Sequence, residues 1–301
     1  MGPMSSLSGA TVGLGVRVEF CHAALQHIAD RAGVDLLHIK GIAFDARWRQ
    51  RPGGGSDADV LVRPSQVPRF LEAVETLGWR RRSRFHTGSP FEHAQTYWHD
   101  HFAYADIHRF FPGLGQDEAT FDVLWADRGQ VDLAGQPCAI PSPAAQALIS
   151  ALNKARNRSA GTGQAADAVL QDPIVDEVQD LVPRLGAEVG WAAARGRLDE
   201  VRHHRDHDLW HAVTQQTGRV HEWRARVTAA PTLRAKALVL LRAPLVNIEH
   251  LANTRGHAPT PWEVGVEFVD RLRRGSLEAG RGAASVGRRA ADAWRARRGR
   301  P

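Results

Sequence analysis

Ser56-Asp57-Ala58-Asp59-Val60-Leu61-Val62 is the stretch on which the reading of this 301-residue chain turns. Residues two apart in a strand point to the same face, so Asp57 and Asp59 project together from the start of an apolar run. Arg51-Pro52-Gly53-Gly54-Gly55 precedes them as a turn or loop and Pro64 closes the run. The segment therefore reads as loop, then strand, with two carboxylates at the junction. Carboxylates so close repel unless a cation lies between them. Hard divalent ions such as Mg²⁺ take oxygen ligands of this kind and keep places for water and phosphates. An Asp-x-Asp pair alone also fits a turn or a solvated strand end, where aspartate bonds its own backbone.

Upstream, Val18, Cys21, Ala24, Leu25 and Ile28 recur at helical spacing and Gly33 follows as a C-terminal cap would, so a helix is expected over 16–32. Leu36-Leu37-His38-Ile39 reads as a short strand ending at Lys40-Gly41. Downstream, Ser65 can cap a helix whose stripe is Val67, Phe70, Leu71, Val74 and Leu77, ended by Gly78. Further strands are expected over 79–86, 95–109 and 130–140. In the longest of these, alternation puts Tyr104, Asp106 and His108 on one face, where pairing with the first strand would bring Asp106 against Asp57 and Asp59. His99 and His101 flank this strand near a prospective cleft.

Beyond Pro141-Ser142-Pro143 the texture changes to Ala-, Leu- and Arg-rich sequence with helical periodicity over 144–157, 164–184, 186–226, 231–253 and 261–274. The division expected is a flexible N-terminus at 1–15, an α/β domain at 16–140, a helical domain at 141–275 and an arginine-rich tail at 276–301.

With 43% hydrophobic and 24% charged residues the chain can bury a substantial core, which excludes disorder as its dominant state. No apolar run approaches the roughly 18 residues of a membrane span, and a cytoplasmic protein without membrane contact is expected. Cys21 and Cys138 are too few for a disulfide framework and are expected reduced. Residues 271–301 hold ten arginines against Glu278 and Asp292, while the remaining 29 bases face 31 acids. A generally basic nucleic-acid-binding body is thereby excluded. A basic tail with Trp294 remains, suited to a phosphate backbone and equally to a solvated or frayed terminus. His203, His207 and His211 recur at a spacing able to present two imidazoles to zinc, but with no further ligand nearby a polar helix face is expected.

The order Ile39-Lys40-Gly41, Arg51, Asp57-Ala58-Asp59-Val60-Leu61-Val62, Leu77-Gly78-Trp79 and Ala105-Asp106-Ile107-His108 resembles the bacterial nucleotidyltransferase-like proteins of the DNA polymerase β superfamily. Within it the nearest subgroup is the one called uncharacterised nucleotidyltransferases, and the resemblance covers roughly residues 20–157. It implies a small mixed-sheet α/β nucleotidyltransferase domain followed by a mostly helical C-terminal domain. It also implies transfer of a nucleoside monophosphate from an NTP donor to a hydroxyl-bearing acceptor, with two Mg²⁺ (or Mn²⁺) ions. Asp57 and Asp59 match the paired metal ligands. Asp106 matches the third acid, which ligates one metal and helps activate the acceptor hydroxyl. Nucleotide contacts are expected from Lys40, Gly41, Arg51, Ser56 and Lys154, with Arg47 and Arg49 as competitors of Arg51, and with an exposed helix lysine as the plain alternative for Lys154. The acceptor stays open among a small molecule, a peptide or protein, and a tRNA 3′ end. The alternative is a non-catalytic nucleotide- or RNA-binding module that retains the fold.

Overall fold

The computed structural model describes residues 12–274 except 52, 158–164, 216–217, 244, 247, 256 and 272. The tail expected at 276–301 and most of the segment expected at 1–15 lie outside the described residues. Helix α1 (Leu14–Ala32) buries Val18, Cys21, Leu25 and Ile28 along one face. It ends where Gly33 turns left-handed at φ 61°, and the Val34 N–H reaches back to the Ala29 carbonyl at 2.9 Å. Strand β1 (Leu36–His38) pairs antiparallel with β2 (Asp57–Val62), Leu37 opposite Leu61. Helix α2 (Val67–Thr76) follows, burying Val67, Phe70 and Val74. Then come β3 (Arg80–Arg81), the single turn α3 (Phe85–Gly88), β4 (Ala94–Trp98) and β5 (Tyr104–His108). The result is a mixed five-stranded sheet of order β1-β2-β5-β4-β3, in which β2 and β5 form the parallel pair.

The single strand expected over 95–109 is two strands. The polar run His99-Asp100-His101 makes a turn, with the Phe102 N–H donating to the His99 carbonyl at 3.3 Å, and β4 folds back on β5 with Thr96 opposite Asp106. Of 79–86 only two residues are strand. After α4 (Glu118–Ala126), the segment expected as a strand over 130–140 is a separate hairpin of β6 (Gly129–Leu133) and β7 (Gln136–Ile140). Its turn holds Ala134 and Gly135 at φ 51° and 80°, the positive values that match strand twist in a two-residue loop.

Beyond the hairpin the described chain is helical: α5 (Pro143–Asn157), α6 (Asp167–Leu170), α7 (Val175–Arg184), α8 (Glu188–Ala194), α9 (His207–Gln215), α10 (Arg219–Ala229), α11 (Leu233–Arg242) and α12 (Ile248–Arg255), with a further run at 261–271. The long helix expected over 186–226 is broken, first at Gly196, whose φ of 67° ends α8. No helix among the described residues is long and apolar enough to cross a membrane.

Alternation in β2 divides the core. Ala58, Val60 and Val62, with Ala105 and Ile107 of β5, face α1 and α2. Leu61, with Leu37 and Ile39, joins Phe111, Leu148, Leu152 and Trp210 on the other side. Asp57 and Asp59 share the face of Leu61, so the carboxylates lie on the side of the sheet covered by α5 and the helices that follow it.

Candidate functional site: a carboxylate cluster on paired parallel strands

The parallel register of β2 and β5 sets Asp59 opposite Asp106 and Asp57 opposite Tyr104. Lys40, two residues beyond β1, forms an ion pair through Nζ with Asp59 Oδ1. The same oxygen accepts from His108 Nε2 at 3.0 Å, and Asp106 Oδ1 accepts from Thr96 Oγ1 at 2.7 Å. Asp59, Asp106 and His108 bring one ligand atom each within 4.8 Å of one another, the one such group among the described residues.

The three carboxylates are not equivalent. Burial, with repulsion from Asp59 and Asp106, pushes the Asp57 carboxyl up to about 6, against the pull of Lys40 and a hydrogen bond from Ser56. At Asp59 burial also favours the neutral acid, yet Lys40 and the His108 hydrogen bond outweigh it and hold this carboxyl well below the usual range. Burial lowers His108 and keeps the ring neutral, although Asp59 opposes it. The Nε2–H is therefore the donor, and Nδ1 is a bare buried nitrogen without a partner among the described residues.

Two loops build the floor beside this cluster. Gly54 has φ 82°, and a Cβ there would lie 2.3 Å from Ile42 Cγ2, while a Cβ on Gly41, at φ 62°, would meet the Gly55 nitrogen at 3.7 Å. Loops 40–44 and 51–56 nest through these glycines. They enclose, with α5, a cavity of about 250 Å³ whose lining includes Lys40, Gly41, Arg51, Ser56, Asp57 and Asp59. Asp106 reaches the cluster from β5. Lys154 is half-buried on α5 and is not among the lining residues.

The same helix presents Ser150, Asn153 and Asn157 to the cavity instead. Sequence reasoning missed them, although Gln146, Ser150, Asn153 and Asn157 form a polar stripe at i, i+4, i+7 and i+11 in a helix that is apolar elsewhere up to Lys154 and Arg156 in its last turn. Gln146 donates to the Pro141 carbonyl and accepts from the Asp45 N–H, both at 2.9 Å, and Ser150 Oγ donates to the Trp48 carbonyl at 2.7 Å. The competing arginines separate by their partners. Arg49 lines the cavity but spends Nε on the Phe44 carbonyl and Nη2 on that of Ile42, at 2.8 and 3.0 Å. Arg47 pairs with Asp45 and Asp172. The Arg51 guanidinium has no partner among the described residues.

Behind the carboxylates, Arg156 donates through Nη1 to His93 Nε2 at 2.6 Å and through Nη2 to Asn153 Oδ1 at 2.8 Å. The His93 ring lies 4.9 Å from that of His108. Burial lowers the Arg156 pKa and the charges of Asp59 and Asp106 oppose this, so the guanidinium acts as a counter-charge behind the cluster. His99 packs against Trp79 and Phe102, at 5.2 and 4.8 Å between centroids, and does not line the cavity. His203 precedes α9, which starts at His207; His207 and His211 share that helix with ring centroids 6.1 Å apart, but among the described residues no further ligand joins them in a group able to hold a metal.

No protein-family model matches the chain, and no curated protein does. Among solved structures, the antibiotic-resistance factor ANT(2'')-Ia is similar at 19% identity and TM-score 0.37, over 63% of this chain and 99% of that one. An antigenic nucleotidyltransferase-like protein from Paracoccidioides brasiliensis is similar at 13% identity and TM-score 0.35, over 60% of this chain and 93% of that one. At this identity and TM-score neither likeness bears on activity; the site's own geometry does.

Proposed function

We propose that the chain is a divalent-metal-dependent nucleotidyltransferase that moves a nucleoside monophosphate from an NTP to a hydroxyl-bearing acceptor. The observation that carries this reading is the β2–β5 register, which sets Asp106 opposite Asp59, and Asp59 lines a cavity together with Lys40, Arg51 and Asp57. The donor set fits a hard cation: burial first, and then the charges of Asp59 and Asp106, push the Asp57 carboxyl toward its neutral form, and a positive ion opposes both effects. Asp57, Asp59 and Asp106 would hold Mg²⁺ or Mn²⁺, which when bound supplies charge stabilisation at the reacting phosphate.

In this reading the acceptor oxygen forms the new bond to the α-phosphorus, the α–β bridging bond breaks, and pyrophosphate leaves. Asp106, held by Thr96, takes the acceptor proton. Lys40 and Arg51 bind the triphosphate, each by charge-assisted contacts of roughly 1.5–3 kcal/mol. His108 holds the Asp59 carboxylate in place through Nε2, and Asn153 and Asn157 form the helix-side wall of the donor site.

The test incubates the protein with each α-³²P-labelled NTP, Mg²⁺ or Mn²⁺, and separate pools of tRNA, cell protein and small metabolites. Label transferred by the native chain and absent with Asp57→Asn/Asp59→Asn supports the reading and names the acceptor class. No transfer from any pool, with NTP binding retained or strengthened in Asp57→Asn, overturns it in favour of a non-catalytic binding module.

A further inference from the structure

A second cavity, of about 330 Å³, lies between the segment after β5 and helices α8 to α11, and shares no lining residue with the carboxylate pocket. This volume is within the range of small-molecule sites. One wall is aromatic and aliphatic: Phe91 and Trp210 meet with ring centroids 5.2 Å apart and planes tilted by 54°, and Leu209, Leu238 and Val239 extend the surface.

Three arginines, Arg109, Arg226 and Arg242, line the same space. Their donors exceed the acceptors within reach. The Arg109 guanidinium lies over the Phe85 and Phe110 rings at 4.6 and 5.5 Å and, among the described residues, bonds only through Nε, to the Glu92 carbonyl at 3.0 Å. Arg226 bonds Glu222 through Nη2 at 2.6 Å, but its Nε is buried without a partner among the described residues. Arg242 has a loose contact, 3.8 Å, with Glu92 Oε2. Of the two acids in the lining, Glu92 is already shared with Arg242, and Asp206 pairs with Arg205 at 3.3 Å. Desolvation, together with the nearby charge of Arg242, lowers the Arg109 pKa against the opposing pull of Glu92. A partly buried cationic wall with free donors is stabilised by an anion that brings its own acceptors.

We propose that this cavity binds a small amphipathic anion: an aromatic or branched aliphatic body seated on Trp210 and Phe91, carrying one acid group that meets the arginines. The assignment does not depend on the chemistry of the carboxylate cluster. The probe is 1-anilinonaphthalene-8-sulfonate, titrated calorimetrically into the full chain, with N-phenyl-1-naphthylamine as the same ring system without the acid group. One site per chain is expected, with the sulfonate binding about tenfold tighter, the scale of one charge-assisted hydrogen bond.

Arg226→Met should weaken the sulfonate about tenfold and leave the uncharged probe unchanged. Arg242→Met, at a more exposed position, repeats the test should the first variant not fold. Ala229→Trp, which fills the cavity, should abolish both. Because Leu240 and Leu241 of α11 are exposed, Leu240→Ser/Leu241→Ser controls for dye on that surface and should change nothing. 1-Naphthoate and 1-naphthyl phosphate, added as displacers, rank the carboxylate against the phosphate; displacement by either supports the site. Equal affinity for the two probes, binding that survives Ala229→Trp, loss in the leucine variant, or displacement by neither acid overturns it.

Discussion

Asp57 and Asp59 are two residues apart on one strand, yet the fold drives their acidities in opposite directions. Asp57 has only Lys40 and Ser56 to offset burial and two like charges, whereas Asp59 holds the Lys40 ion pair and the His108 hydrogen bond. A carboxyl raised to about 6 in the folded chain binds a proton there that the unfolded chain, near its ordinary value of 3.8, has already released. Its contribution to stability therefore falls as pH rises from about 4 to about 6 and stays low above that. The buried His22, His38, His93 and His108, all lowered chiefly by burial, act with the opposite sign below their unfolded value. The clean measurement is thus the difference between native protein and Asp57→Asn. Without divalent ion, Asp57→Asn should melt higher at pH 7.5, by about 2–4 °C per kcal/mol of repulsion removed, and the gap should close by pH 4. Added Mg²⁺ should raise the native protein and not the variant.

Activity tests the cations at the same scale. Arg51→Ala should raise the KM for the NTP about tenfold, the scale of one charge-assisted contact, with kcat little changed. Lys154→Ala should stay within about twofold, since its side chain does not line the cavity. Steady-state kinetics across the two variants check both.

At the scale of elements, the site depends on two loops fitting one another. Gly54→Ala places a methyl against Ile42 Cγ2 at a backbone angle that L-residues resist. It should cost about 1–2 kcal/mol from the left-handed conformation alone, before the clash is counted. Ile42→Ala should recover part of the clash and none of the backbone cost, a non-additivity that a double-mutant cycle in denaturant melts would read.

These loops also mark where the chain's pattern ceases to be legible. α1 with its Gly33 cap and α2 follow from periodicity because each has one face wet and one buried, whereas β2, buried on both faces after Asp57, follows from its unbroken apolar run between a glycine loop and Pro64. The long strand over 95–109 does not, because nothing in alternation alone distinguishes a continuous strand from two halves folded at His99-Asp100-His101. Asp57 and Asp59 are visible from their spacing. Asn153 and Asn157 are hidden by the neighbouring Lys154, whose charge draws attention to the wrong side of α5. Arg156 and His93 meet only through tertiary packing, and no local pattern announces them.

Across the whole molecule, one apolar cluster joins the carboxylate face of the sheet to α5, α7, α8 and Trp210 of α9. The helices are therefore part of the scaffold that holds the site. Leu148, 0% exposed in the middle of that cluster, tests this. Leu148→Ala should cost about 2–5 kcal/mol, and in a calorimetric scan it should lower one shared transition for sheet and helices. Two separate transitions, with only the later one moved, would contradict a shared core.

Asp59 and His108 are 49 residues apart along the chain, on parallel strands whose connection contains α2 and the β4–β5 turn. Contacts of such long loop closure form late, whereas helical turns close within a few residues. Early in refolding, far-ultraviolet circular dichroism should accordingly recover ahead of hydrogen-exchange protection at β2 and β5.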